Sequence, residues 1–394
     1  MPHNISHPLT VARFIHPAWV VMLVSLLLVA GCDRPPQKPA TTQGAGSPGD
    51  PDTPQTRIVT LAPALTQMLV DLGQTHLLVG VARNDNAAPA GLPTVGDTFD
   101  INTEALLSVK PTLVLMMSTK ENTAKFLSDL GQSHGFEVVA YPSPKSVEDV
   151  ANILIDQSEL DPTAPKPQIP SLGAVLHIPR RAVTTSLELM MRLGQIEKAL
   201  TSAPGITPGT SSSGTHPGTY PGTIRKRVLM VIGTGPLMAS GPGTTHHQLL
   251  SFLNARNAAE DATVEAPTFD REKLLACQPD VVLLLLPNAP ALQALDQDPR
   301  LAIFRGLDIP AVKNKQIVLI NDPLVLLPSS SLPRIVAAMA KAIHPQRAAE
   351  VDAAMTAELL PHDARATQPA AHQPAPASVP PESTQSPKSP AHAH

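Results

Sequence analysis

Aromatic residues are scarce in this 394-residue chain, which contains seven Phe, two Tyr and one Trp. Aromatic side chains supply the large flat surfaces on which ring-shaped ligands stack. Any ligand pocket in this protein therefore has few stacking surfaces available.

Cysteine and clustered positive charge are also scarce. The formal net charge is −4 and the chain has no long basic run. Because phosphate binding needs clustered Lys and Arg, this pattern excludes nucleic acid as a partner. The two cysteines are Cys32 and Cys277. If Cys32 is modified during export, Cys277 is left alone and the mature chain has no intramolecular disulfide.

Proline is abundant, with 44 residues that crowd the two ends and two internal stretches. The hydrophobic share of 42% is enough for sizeable cores, so the chain is mostly globular with linkers or tails. Composition predicts the following divisions: a signal at 1–32, a disordered tether at 33–56, lobes at 57–145 and 224–345, a bridging helix with Pro/Gly-rich insertions at 146–223, and a disordered Pro/Ala/His-rich tail at 346–394.

The N-terminus has the pattern of an export signal. Arg13 precedes an apolar run at residues 19–29, which is too short to span a bilayer comfortably but typical of a signal peptide. The run ends in "LLVAGC", which resembles the lipobox of bacterial lipoproteins, so Cys32 is the expected acylated residue and the first mature residue. The alternative is a signal-anchor helix with an incidental Cys.

One phrase occurs twice, as "NTEALLSVKPTLVLM" at 102–116 and "DREKLLACQPDVVLL" at 270–284. Asn102 and Asp270 suit the N-cap of a helix. Glu104 and Glu272 then lie in the first turn, where a carboxylate gains from the free N–H groups and the helix dipole. Each copy therefore begins with a capped helix.

The second half of each copy predicts a strand. The paired leucines, Leu106/Leu107 and Leu274/Leu275, are expected to face the core. Pro111 and Pro279 end the helices, and the apolar runs after them are typical of parallel strands buried on both faces. The fold class is therefore α/β: two Rossmann-like lobes with small parallel sheets, joined by a backbone helix. Ligands in such sheets bind beyond the carboxyl ends of the strands, here in a cleft between the lobes.

The phrases "RIVTLAPALTQMLVDLG", "LPTVGDTFDINTEALLSVKPTLVL" and "TFDREKLLACQPDVVLLL" resemble the periplasmic binding proteins that feed iron-chelate, haem and cobalamin ABC importers. The resemblance covers residues 57–343. It implies a ligand held between two lobes with little hinge motion, and docking on a dimeric permease through one surface Glu per lobe. Glu104 and Glu272 match those docking positions. The alternative is that both are solvated Glu residues on capped helices.

The resemblance and the cleft edges together select eight candidate ligand-binding residues: Arg83, Asn84, Asp97, Phe99, Tyr141, Met238, Ser240 and His246. Haem-binding members often carry an iron-binding Tyr after the "VG" that here precedes Asp97. Cobalamin-binding members have aromatics at three positions, of which Phe99 survives while Asn84 and Ala266 replace the others. The ligand is left open by these departures.

Several of these candidates have two interpretations. The Tyr141 phenolate suits ferric iron in a cleft wall, but a core Tyr fits equally well. Arg83 can meet a ligand carboxylate or remain solvated. His246 is expected to face the cleft, although His247 points about 100° away on a helix, so the two cannot share a metal. "GTGPLMASGPGTTHH" lacks the Lys of a phosphate-binding loop and predicts a cleft-edge hairpin.

No nucleophile–base pair and no G-x-S-x-G elbow is present, so we expect a binding protein and not an enzyme. The interpretation is a monomeric, lipid-anchored periplasmic lipoprotein with no intrinsic cofactor. It captures a metal chelate (ferric siderophore, haem or cobalamin-type) and delivers it to an inner-membrane ABC permease. Two alternatives remain: a periplasmic zinc or manganese receptor or metal-dependent enzyme using His246, and an envelope scaffold that has lost transport.

Overall fold

A computed structural model describes residues 56–117, 121–159, 163, 166–201 and 225–359. The predictions on Cys32, the signal, nearly all of the tether, the insertion at 202–223 and the tail beyond 359 lie outside the described residues. Among the residues described, no helix is long and apolar enough to cross a membrane.

The N-terminal lobe is a sheet of four parallel strands flanked by helices. The strand order is β2-β1-β3-β4. The strands are β1 (Ile58–Thr60), β2 (Leu78–Gly80), β3 (Leu113–Met117) and β4 (Glu137–Tyr141). The helices are α1 (Pro63–Asp71), α2 (Thr103–Ser108), α3 (Glu121–His134) and α4 (Val147–Leu154), with 3-10 turns at Thr75–Leu77 and Gln157–Glu159.

The C-terminal lobe repeats this plan with one antiparallel strand. Its order is β6-β5-β8-β9, with β7 also paired to β5, and only the β5–β6 pair is antiparallel among the described strands. The strands are β5 (Lys226–Thr234), β6 (Leu237–Ala239), β7 (Ala255–Asn257), β8 (Val281–Leu285) and β9 (Ile317–Ile320). The α/β class with two lobes is confirmed.

Helices cover this second sheet and form the bridge between the lobes. The bridge is α5 (Leu172–Val175) and α6 (Pro179–Thr201). The lobe's helices are α7 (Thr245–Phe252), α8 (Arg271–Cys277), α9 (Pro310–Lys313), α10 (Leu332–Ile343) and α11 (Ala348–Thr356), with 3-10 turns at Pro299–Phe304 and Pro345–Arg347.

The repeated phrase forms the same unit in each lobe, α2–β3 and α8–β8. The predicted caps are present: Asn102 Oδ1 accepts from the Ala105 N–H at 3.0 Å, and Asp270 Oδ1 accepts from the Lys273 N–H at 2.8 Å. Both helices end at a residue in the left-handed conformation, Lys110 (φ 47°) and Gln278 (φ 44°), each followed by proline. Position by position, the two copies therefore use the same local devices.

One expectation within the repeat is wrong. Leu106 and Leu274 are fully buried, but Leu275 is 42% exposed. Neighbouring residues on a helix point about 100° apart. A short helix packed on one side of a sheet therefore buries one member of the pair more than the other.

The central strands bury both faces because their side chains alternate between two cores. In β8, Val281, Leu283 and Leu285 join a core that both lobes share with α6, whereas Val282 and Leu284 join a core confined to the C-terminal lobe. The same alternation in β3 separates the shared core from one confined to the N-terminal lobe.

The bridging helix α6 is the element that both lobes pack on. Its buried residues recur three or four apart: Ala182, Ser186, Leu189, Leu193 and Ile196. This helix lies within the predicted bridging segment 146–223, and it begins at Pro179, a residue that suits a first helical turn.

The disordered tail predicted from residue 346 is wrong for residues 346–359. The chain continues into α11, where Val351 is fully buried and Ala354 is 7% exposed. Arg192 of α6 donates to the carbonyl oxygens of Ala354 at 2.7 Å and Ala357 at 2.8 Å. These bonds satisfy the last carbonyls of α11, whose alanine-rich sequence has no apolar period to reveal the helix.

Polar contacts join the lobes beside the shared core. Gln248 of α7 accepts from the Val147 N–H at 2.7 Å and donates to Glu148 at 2.8 Å, so it caps the start of α4 from the other lobe. Thr245 donates to the carbonyl oxygen of Pro144 at 2.8 Å. These bonds hold the lobes in one arrangement around the carboxyl ends of their strands.

Candidate functional site

The loop after β2 lies at the carboxyl end of the sheet in the N-terminal lobe. It folds back on itself through the bridges Val81–Thr94 and Gly96–Ile101. Gly96 has φ 91°, and a Cβ there would lie 2.2 Å from the Asp100 carbonyl oxygen, so only glycine fits. The loop is therefore folded back on itself by backbone bridges, with a position that only glycine can occupy.

Four predicted ligand residues lie on this loop: Arg83, Asn84, Asp97 and Phe99. The Asp97 carboxylate accepts from the N–H groups of Phe99 at 2.9 Å and Asp100 at 3.0 Å, which fixes a tight turn. Phe99 at the tip of the turn is 84% exposed. Asp97 thus supports the turn, and Phe99 is the exposed side chain at its tip.

Arg83 is paired with a carboxylate of the same loop. One guanidinium nitrogen lies 2.6 Å from Asp100 Oδ2, and both side chains are exposed. The hydrogen bond to Asp100 raises the pKa of Arg83. A ligand carboxylate must therefore compete with Asp100 for Arg83. Asn84 follows in the left-handed conformation (φ 57°) and is exposed.

A hydroxyl–carboxylate chain that sequence reasoning missed fastens this loop to α1. Thr60 and Thr66 hydroxyl oxygens lie 2.6 Å apart, and Thr66 Oγ1 donates to Asp85 Oδ2 at 2.6 Å. An ionised carboxylate can only accept hydrogen bonds, so the Thr66 hydroxyl donates its one proton to Asp85. The Thr60 hydroxyl therefore donates to Thr66. Burial raises the pKa of Asp85, whose other oxygen accepts from the Ala87 N–H at 2.9 Å.

Phe126 of α3 is a second residue that the sequence did not single out. It is 49% exposed and lines a groove of about 350 Å³ with the turn that carries Phe99. The groove is lined by Thr98, Phe99, Asp100, Ile101, Thr103, Asn122, Thr123 and Phe126. The sequence pattern did not indicate Phe126, because a single exposed Phe on a polar helix face does not follow the spacing of core residues.

Tyr141 lies in the core. It is 2% exposed, and its hydroxyl donates to the carbonyl oxygen of Pro170 at 2.9 Å. Burial, followed by the charge of Glu137, raises its pKa, which disfavours the phenolate that would bind ferric iron. The structure supports the core interpretation, in which Tyr141 anchors the Pro-rich insertion.

His246 is also inside the protein and not on a cleft wall. It is 7% exposed, and Nε2 lies 2.7 Å from the Val325 carbonyl oxygen, so that nitrogen carries the proton. Burial lowers its pKa. His247 accepts at Nδ1 from the Asn257 amide at 3.1 Å. Within the described part of the chain, no group of three or more His, Cys, Asp or Glu could hold a metal ion, so the zinc or manganese alternative lacks a site there.

The predicted hairpin is present, and it leaves Met238 partly exposed while Ser240 is buried. Residues 235–236 connect β5 to β6, and Met238 is half-buried and bridges Thr268. Ser240 is buried, and its hydroxyl lies 2.8 Å from that of Thr244, the N-cap of α7. Ser240 therefore supports the start of a helix, and Met238 is the residue of this pair that remains near solvent.

Glu104 and Glu272 are both exposed in the first turns of α2 and α8. Each helix precedes a parallel strand, so its N-terminus lies at the carboxyl end of its sheet. Both carboxylates thus lie at the carboxyl ends of the strands, the end of the sheet where ligands of such folds bind.

Comparison with known proteins places the chain in context. A profile of the family described as periplasmic binding protein matches residues 58–324. A vitamin B12-binding protein of Pectobacterium atrosepticum is 24% identical over 237 residues, which are 58% of this chain and 71% of that protein.

Solved structures show the same fold. A periplasmic heme-binding protein of Pseudomonas aeruginosa has a TM-score of 0.54 at 23% identity and covers 74% of this chain and 93% of its own. The periplasmic vitamin B12-binding protein of Vibrio cholerae has a TM-score of 0.51 at 19% identity and covers 77% and 99%.

Proposed function

Because the chain belongs to the periplasmic binding protein family, we propose that it captures a metal chelate in the periplasm and delivers it to an ABC importer. The observation that carries the proposal is the hydrogen-bonded turn at the carboxyl end of the N-terminal sheet, which holds Phe99 with 84% of its surface exposed. Binding is the whole of its chemistry in this proposal, without turnover of the ligand.

A corrinoid of the cobalamin type is the chelate that the site supports best. Haem iron is usually held by an axial side chain such as His or Tyr. The two such candidates, Tyr141 and His246, are buried and bonded to carbonyl oxygens. We therefore leave both out of the proposed site. A corrinoid brings its own cobalt ligands and needs from the protein only ring contacts and hydrogen bonds. The relatives named as vitamin B12-binding proteins support the same choice.

The proposed ligand contacts are Arg83, Asn84, Phe99 and Met238, with Asp97 holding the turn. Glu104 and Glu272 are the proposed contacts with the two subunits of the permease, because they occupy equivalent positions in the two lobes. We also propose that Cys32 carries the lipid anchor that tethers the protein to the membrane.

Titration of the purified protein tests the proposed ligand. We expect saturable binding of one cyanocobalamin per chain, detected by equilibrium dialysis and the absorbance of the corrin ring. Haemin and a ferric siderophore serve as the comparison ligands, and both should bind more weakly. The absence of saturable binding for all three would contradict the function.

A further inference from the structure

We infer that Phe126 is a ligand-contacting residue, and that it forms with Phe99 an aromatic groove that takes one edge of an amide-bearing corrin ring. This inference rests on the proposed function and extends the site onto α3, a helix to which no ligand role has been given.

The position of the groove follows from the topology. The turn with Phe99 follows β2, and α3 follows β3, so both segments lie beyond the carboxyl ends of parallel strands. A single exposed apolar side chain is ordinary on a protein surface. Two aromatics, 84% and 49% exposed, that line one groove at the ligand edge of the sheet indicate a contact surface.

The lining of the groove selects the chemistry of its occupant. Around the two rings it offers neutral hydroxyl and amide groups, those of Thr98, Thr103, Asn122 and Thr123. Such groups suit the amide side chains at the edge of a corrin ring. The charged residue of the lining is Asp100, which is neutralised by Arg83 at 2.6 Å. The groove therefore offers no net positive charge to the carboxylates of a porphyrin.

Substitution of Phe126 tests the inference by equilibrium dialysis of the full chain with cyanocobalamin. We expect Phe126→Ala to weaken binding about tenfold, which is about 1.4 kcal/mol, because the variant loses its aromatic contact to the corrin ring. Phe126→Tyr should bind like the wild type, since it keeps the ring. Leu275→Ala is the matched control, because Leu275 is an exposed apolar residue of the other lobe. This variant should bind cyanocobalamin with the same dissociation constant as the wild type.

The outcomes separate the inference from the proposed function. Because Phe126 is half exposed, its variants should keep the thermal unfolding midpoint of the wild type, and this is measured alongside. Unchanged cyanocobalamin binding by Phe126→Ala, in a protein whose wild type binds, overturns the groove but leaves the function. If the wild type binds haemin more tightly than cyanocobalamin, the inference that the groove takes an amide-bearing corrin ring is wrong. If the wild type binds neither these two nor a ferric siderophore, the proposed function fails and the groove fails with it.

Discussion

At the scale of single residues, three histidines of the C-terminal lobe make the free energy of unfolding depend on pH. His246, His247 and His344 all have pKa values lowered by burial. His246 Nε2 donates to Val325, and His344 Nε2 lies 2.8 Å from the Leu253 carbonyl oxygen. The neutral imidazole is therefore the form that fits the folded protein.

The first prediction follows from the sign of that shift. The unfolded chain protonates His246 below about pH 6.5, while the folded protein resists protonation, so the free energy of unfolding falls as the pH drops. His246→Gln keeps a donor for the Val325 carbonyl oxygen but does not titrate. We expect the loss of stability between pH 7.5 and 5.5 to be roughly 1 kcal/mol smaller in the variant. Urea unfolding at both pH values measures this, and equal losses in the two proteins would contradict it.

At the scale of elements, the α2–β3 and α8–β8 units are two copies of one local design. Their first turns carry Glu104 and Glu272, both exposed and both at the carboxyl edge of a sheet. A surface feature present once in each lobe suits a partner with two equivalent subunits, because each subunit can contact one copy. This is the physical basis for the docking proposal.

The second prediction is that Glu104→Arg combined with Glu272→Arg abolishes uptake of labelled cyanocobalamin in cells. Charge reversal at an interface replaces attraction by repulsion and slows productive encounter. The dissociation constant for the ligand should stay within about twofold of the wild type, since neither Glu is a proposed ligand contact. Each single variant should be intermediate, because one lobe remains engaged.

The matched control is Glu137→Arg. Glu137 is exposed on the same lobe as Glu104, but it lies at the amino end of β4, which is the opposite end of the sheet. Reversing its charge should therefore leave uptake unchanged. Normal uptake by the double variant would show that the repeat reflects duplicated architecture alone.

At the scale of the whole molecule, the two lobes are held on a common support. The bridging helix α6 joins the core that both sheets share, and Gln248 and Thr245 bond across to the start of α4. A binding protein whose lobes share a core and these cross-lobe bonds is expected to take its ligand with little hinge motion.

The third prediction tests the proposed lipid anchor at Cys32. Cys32→Ala should release the protein from membranes into the periplasmic extract, because the acyl chains would be lost. Cys277→Ala is the control, since Cys277 is a half-buried thiol whose pKa is raised by burial, and this variant should stay membrane-bound. Immunoblotting of cell fractions decides the result. A Cys32→Ala protein that remains with the membrane and keeps its signal would support the signal-anchor alternative.

The sequence by itself determined the repeated helix–strand units and hence the two-lobed α/β plan. Asn102 and Asp270 each cap a helix through a backbone N–H three residues away, and the apolar runs after Pro111 and Pro279 form buried strands. These devices act between near neighbours in the chain, so spacing and residue type are enough to reveal them.

Only the tertiary structure decided which candidate side chains are buried and which are exposed. Tyr141 bonds to Pro170, and His246 bonds to Val325. Asp85 bonds to Thr66, which fastens the loop after β2 to α1. The carbonyl groups at the end of helix α11 accept hydrogen bonds from Arg192, more than a hundred residues earlier. In each case the partner is distant in sequence, and whether a Tyr or His is buried and committed or exposed and available depends on that partner. No local pattern can encode this, because the energy of burying a polar group depends on the hydrogen bonds that the folded chain supplies.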